Sequence, residues 1–96
     1  MSEINNLAFG YSNIAANGTN TIKKGSGILH AIVINTKGAS ANTLTIYDNT
    51  TNSGTKIGTL DTTVNFGTFL YDVRFGTGLT VVGATGTSSD FTVVFR

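Results

Sequence analysis

Apolar and polar side chains alternate through segment after segment of this chain. In Thr68–Phe75, Phe69, Tyr71, Val73 and Phe75 fall on one parity, and Leu70, Asp72 and Arg74 on the other. In Asp90–Arg96 the same parity holds Phe91, Val93 and Phe95. A strand sends successive side chains to opposite faces, so this period of two builds half-buried strands and gives a helix no apolar stripe. No sustained i, i+3, i+4 pattern competes with it. Thr, Val, Ile, Phe and Tyr suit a pleated surface, and Gly and Asn clusters divide the chain at short intervals. The expectation is an all-β chain of seven or eight strands. It forms an antiparallel two-sheet β-sandwich with Greek-key or jelly-roll-like connections.

The strands follow from the pattern. "YSNIAANGTNTIKKG" reads as two short strands around Asn17-Gly18, a pair that tolerates the positive φ of a type I′ hairpin. "GILHAIVINT" is the strongest strand. Strict alternation puts Leu29, Ala31 and Val33 on one face and Ile28, His30, Ile32 and Ile34 on the other. Both faces are largely apolar, so one meets the core and the other a second layer or a neighbouring subunit. Ile28, His30, Ile32 and Ile34 are therefore the candidate interface residues. Leu44 and Ile46 point inward, Ile57 lies in the next strand, a short strand spans Leu79–Val82, and the chain ends in a strand. Residues 1–96 read as one domain, with about residues 1–11 as an extended N-terminal arm. "GSGILHAIVINTKG" and "NFGTFLYDVRFGTG" echo one another as strands set between glycines.

Composition narrows the function classes. Charged residues make up 11% of the 96, against about 25% in an average soluble protein. The net charge is +1, and Lys23-Lys24 is too short for a basic patch, so no nucleic-acid or anionic-membrane partner is expected. No apolar run approaches the roughly 18 residues of a membrane span, and "MSEINNLAFG" lacks the pattern of a signal peptide. There are no cysteines, hence no disulfide staple or thiolate site. Small unstapled domains often gain stability by oligomerising.

The loop "YDNTTNSGTK" places Asp48 and Asn52 in step with a calcium loop. However, Ser53 occupies the glycine position, Thr59 the terminal glutamate position, and strands flank the loop where helices should. It reads as a strand connection in which Asp and Asn bond nearby backbone and Gly54 supplies positive φ. His30, the single histidine, would need a serine such as Ser26 and one of Asp48, Asp61, Asp72 or Asp90 to form a triad, and no nucleophile elbow accompanies any serine. It reads as packed and hydrogen-bonded, at an interface. Asp72 and Arg74 share a face as ordinary strand charges. Gly25-Ser26-Gly27 and Gly76-Thr77-Gly78 are isolated GxG pieces that open no helix, so no phosphate cradle is expected. Tyr11, Tyr47 and Tyr71 offer a sugar platform only if exposed, and Tyr71 faces inward. The expectation is a chain without catalytic residues, metal or cofactor.

"GSGILHAIVINTKGAS", "TLTIYD", "FLYDVRFGTGLTVV" and "DFTVVFR", in that order, resemble small all-β structural proteins of tailed bacteriophages, the virion proteins that decorate or cement capsids. The likeness spans about residues 12–96 and consists of strands and glycines without a catalytic signature. It implies a non-enzymatic β-sandwich, made in the host cytoplasm, that oligomerises, with a trimer as first choice. Such a protein sits on the virion's capsid surface against the major capsid protein or other virion proteins. It assigns no individual contact residue. The alternative is a receptor- or glycan-binding module of a phage tail fibre or adhesin, which calls for exposed aromatics and a loop-built groove.

Overall fold

A computed structural model of the chain describes residues 8–96. Eight strands follow in order: β1 (Gly10–Ile14), β2 (Gly18–Lys24), β3 (Gly27–Thr36), β4 (Thr43–Asp48), β5 (Thr55–Asp61), β6 (Gly67–Phe75), β7 (Gly78–Ala84) and β8 (Asp90–Phe95). One sheet has the order β1-β8-β3-β6 and the other β2-β7-β4-β5. Every pairing is antiparallel, and β1 pairs β8, β2 pairs β7, β3 pairs β6 and β4 pairs β5. The second half of the chain thus folds back along the first, and all connections but β4–β5 cross between sheets. This is a two-sheet antiparallel β-sandwich with jelly-roll strand order.

That order corrects the reading of Asn17-Gly18. β1 and β2 lie in different sheets, so the pair marks a crossover and not a hairpin. Gly18 has φ 131°, the local signature that made the dipeptide look like a hairpin turn. β1 also draws Gly10 and Tyr11 into the sheet from the expected N-terminal arm; residues 1–7 of that arm lie outside the described residues.

Leu29, Ile32, Ile34, Leu44, Ile46, Phe75, Leu79, Val81, Phe91 and Val93 form the buried core between the sheets, with Tyr71, Val73 and Phe95 packed against it. The alternation read in β4, β6 and β8 is the alternation found. In β3 it breaks. Leu29 pairs Val73 and Ala31 pairs Leu70, so His30 stands opposite two residues, Tyr71 and Asp72. Against β8, His30 is an extra residue between Leu29↔Phe95 and Ala31↔Val94. A bulge of this kind shifts side-chain parity. It turns Leu29 inward before His30 and Ile32 and Ile34 inward after it, at 0%, 0% and 1% exposure. Ile32 and Ile34 are therefore core residues, not the outward face assigned to them by strict alternation. Of the four candidates, only Ile28 and His30 remain partly exposed.

Candidate functional site

Asp48 lies at the end of β4, partly exposed, and its carboxylate reaches across to the β6–β7 turn. It accepts hydrogen bonds from the backbone N–H of Thr77 at 2.8 Å, Gly76 at 3.0 and 3.1 Å, and Gly78 at 3.3 Å. These donors, Gly76 foremost and then Thr77, hold the carboxyl below the usual carboxylate range, while burial opposes them. Gly76-Thr77-Gly78 is therefore an anion-binding nest, occupied by the chain's own side chain. Next to Asp48, Asn49 donates to Ser53 O at 2.8 Å and Gly54 adopts φ 96°. The segment is a turn between paired strands, and Asp48 caps a remote turn where local bonding was expected.

At the opposite end, Asn42 gathers the connections between strands. Its amide nitrogen donates to Asn17 Oδ1 at 2.8 Å, Thr85 O at 2.9 Å and Ala84 O at 3.2 Å. Its amide oxygen accepts from Thr62 Oγ1 at 2.6 Å and Ser89 N at 3.4 Å. The side chain is fully buried and bonded on both atoms. Gly38 passes so close that an added Cβ would stand 2.6 Å from Thr62 Oγ1 and 2.7 Å from Asn42 Oδ1. Sequence reasoning missed Asn42, because an Asn between Ala and Thr in a polar loop looks like any other turn residue.

On the outer face of the β1-β8-β3-β6 sheet, the bulge presents His30, whose Nδ1 pairs with Asp72 Oδ1. Asp72 has φ 49°, a strained value for a residue with a Cβ. Phe9 stacks on the imidazole with ring centroids 4.5 Å apart, and the Arg96 guanidinium sits 5.3 Å over the Phe9 ring. Asp72 and Arg74 do share an outward face, as read, but the partner of Asp72 is His30. Ser26 has no hydrogen bond to His30 among the described residues.

Asp61 accepts from the Thr63 hydroxyl at 2.6 Å and the Thr63 N–H at 2.9 Å, which hold its carboxyl below the usual carboxylate range. Asn65 closes the same turn by donating its N–H and amide to Asp61 O at 3.1 and 2.7 Å. This braced loop holds Val64 and Phe66 outward, 69% and 62% exposed. Tyr11 and Leu70 are the other large apolar side chains most open to water, at 74% and 67%. Asp90 is held acidic by Asn13 first and then Asn35. Tyr71 is half-buried and its hydroxyl is pushed up by burial. Among the described residues no cluster of three His, Cys, Asp or Glu is arranged to hold a metal ion, no pocket is formed, and no helix is long and apolar enough to cross a membrane.

Fold and surface together define a jelly-roll β-sandwich whose described carboxylates are all engaged by its own backbone and side chains. No protein-family model matches the chain, and no curated protein is similar to it.

Proposed function

We propose that the protein is a non-enzymatic structural unit that self-associates, as a trimer by first choice, and decorates the capsid of a tailed bacteriophage. The observation that carries the structural half is the use made of acidic groups. Asp48 caps a turn, Asp61 braces a loop, Asp72 pins the bulge through His30, and Asp90 ties β8 to Asn13 and Asn35. The side chains left outward without such work include the apolar Tyr11, Val64, Phe66 and Leu70. Apolar anchors on a braced loop favour docking to another protein, since little ordering is left to be done on binding. The phage setting rests on the sequence resemblance alone. Cryo-EM and mass spectrometry of virions made by the encoding genome test it. The chain is expected on the outside of the head, in a fixed ratio to the major capsid protein. Virions without the chain, or saturable glycan binding with no capsid binding, would overturn the proposal in favour of a receptor-binding module.

A further inference from the structure

Among the described residues, the two sheets leave four strand edges, and three of them carry guards. β2 has Lys23, Lys24 and a bulge at Ile22. β5 has Lys56, Asp61 and an extra residue at Ile57. β6 is guarded in its second half by Asp72, Arg74 and the bulge opposite His30. Charges and bulges of this kind prevent edges from pairing with other chains. The first half of β6, Gly67–Tyr71, has none and exposes Leu70. β1, Gly10–Ile14, is also uncharged and exposes Tyr11. These two bare stretches have five residues each and lie at opposite edges of one sheet.

The register links them. Tyr11 pairs Val94, Val94 pairs Ala31 and Ala31 pairs Leu70, forming one apolar row across the outer face. The next row runs Asn13, Thr92, Val33, Thr68. Three antiparallel steps separate β1 from β6, so the two edges run in opposite directions. We propose that the β6 edge of one copy pairs antiparallel with the β1 edge of a second copy, head to tail. The register that continues both rows sets Leu70 opposite Tyr11 of the second copy, Thr68 opposite its Asn13 and Tyr71 opposite its Gly10. The bare five residues of one edge then meet the bare five of the other. An apolar pair, a hydroxyl–amide pair and an aromatic over a glycine are all favourable cross-strand neighbours.

A five-residue joint is about 17 Å long and falls short of the roughly 800 Å² per partner of a standard stable interface. One joint is weak. A head-to-tail contact makes a ring if its rotation closes and a filament if it does not, and closure lets several joints hold together. This inference rests on the proposed self-association and names the edge that carries it.

The native chain has no cysteine, which makes crosslinking a clean test. Leu70→Cys and Tyr11→Cys are made separately; both sites are exposed, and melting curves check that the fold is kept. Directly opposed residues bring Cα atoms about 4.5–5.5 Å apart, within disulfide reach. Mild oxidation of the mixed variants is expected to give covalent dimer at least about tenfold faster than either variant alone. Pairing Leu70→Cys with Asn13→Cys, two residues out of register, is expected to be similarly slow. Dimer from Leu70→Cys alone at the mixed rate would overturn the head-to-tail joint in favour of a twofold one. Equal rates for the Tyr11 and Asn13 partners would overturn the register. No crosslink while light scattering reports an oligomeric wild-type chain would sink the joint and leave self-association standing. A wild-type monomer at all concentrations, with no crosslink, would remove both.

Discussion

Replacing Asn42 measures how far one buried amide holds an end of the sandwich together. Asn42→Ala deletes five hydrogen bonds, three donated and two accepted. Not all are lost outright. Thr62 Oγ1 keeps a 3.2 Å bond to the backbone oxygen of residue 42, and Asn17 and Thr85 are exposed enough for water to replace the amide. Two or three bonds at about 0.5–1.5 kcal/mol net, with more for a group left dry, predict a loss of about 2–4 kcal/mol. Domains of this length have roughly 5–14 kcal/mol in total, and at about 4–8 °C per kcal/mol the melting temperature should fall by about 8–32 °C. Asn42→Asp separates hydrogen bonding from simple packing. It is nearly isosteric, but at neutral pH it sets a carboxylate against the oxygens of Asn17, Ala84 and Thr85. It should therefore be less stable than Asn42→Ala at pH 7. Burial and facing oxygens raise the folded pKa of the introduced carboxyl, so the excess penalty is full above that value and is relieved as the pH falls through it, where the acid regains one donor. Urea titrations of the three proteins at pH 7 and pH 4.5 read both effects. If Asn42→Ala lies within about 0.5 kcal/mol of the wild type, or if Asn42→Asp matches it at pH 7, the amide is not the clamp described.

Other consequences are as direct. Ile32→Ala should cost about 2–5 kcal/mol and Ile32→Lys should unfold the chain, whereas Leu70→Lys should leave the melting of the isolated chain within about 0.5 kcal/mol; Ile32→Lys dissociating an oligomer without unfolding would restore Ile32 to an interface. Asp48→Asn should cost about 1–2 kcal/mol, discounted for its partial exposure, as read in urea unfolding at pH 7. Asp48, Asp61 and Asp90 all have folded pKa values below their unfolded ones. Their stabilisation is therefore full above the ordinary carboxylate value of about 3.9 and lost as pH falls through the lower folded values. The urea midpoint should fall below about pH 4, and a midpoint that rises on acidification would contradict the geometry. If the chain docks on a capsid, binding between roughly 0.05 and 1 M NaCl, where the screening length drops to about 3 Å, should stay nearly flat; release in step with salt would shift the contact to Lys23, Lys24, Lys37 or Arg74.

What the sequence revealed divides along a physical line. The period of two in β4, β6 and β8 reports burial directly, because each strand lies between a core and a solvated face, and those residues lie where the pattern put them. β3 is central and apolar on both parities, so nothing in its composition marks the residue at which parity slips. His30 is that residue, and the one-residue shift carried Ile32 and Ile34 from the expected interface into the core. Asn17-Gly18 misled for a related reason. A positive-φ glycine serves a crossover as well as a hairpin, and only the pairing of β1 with β8 and β2 with β7, residues far apart in sequence, distinguishes them. Asn42 and the Gly76–Gly78 nest were illegible because their partners lie 20 to 47 and about 30 residues away.

The same contacts explain why motif reading led toward chemistry that the chain uses for architecture. A GxG turn does present convergent N–H groups, and an anion does sit among them, but it is Asp48, which joins β4 of one sheet to the β6–β7 crossover. A histidine does pair with an aspartate, but the pair spans the bulge between β3 and β6 and stabilises Asp72 at positive φ. With no disulfide available and 11% charged residues, the sandwich closes one end with a carboxylate and the other with an amide, the amide adding to the Ala39–Thr87 bridge and the Thr62–Asn42 backbone bond that join the same connections. Removing either should loosen a whole end and not a single loop. Among the described edges, β1 and the first half of β6 carry no charged side chain. The proposed joint between copies would use the backbone groups that the β1 and β6 edges leave without a partner strand among the described residues.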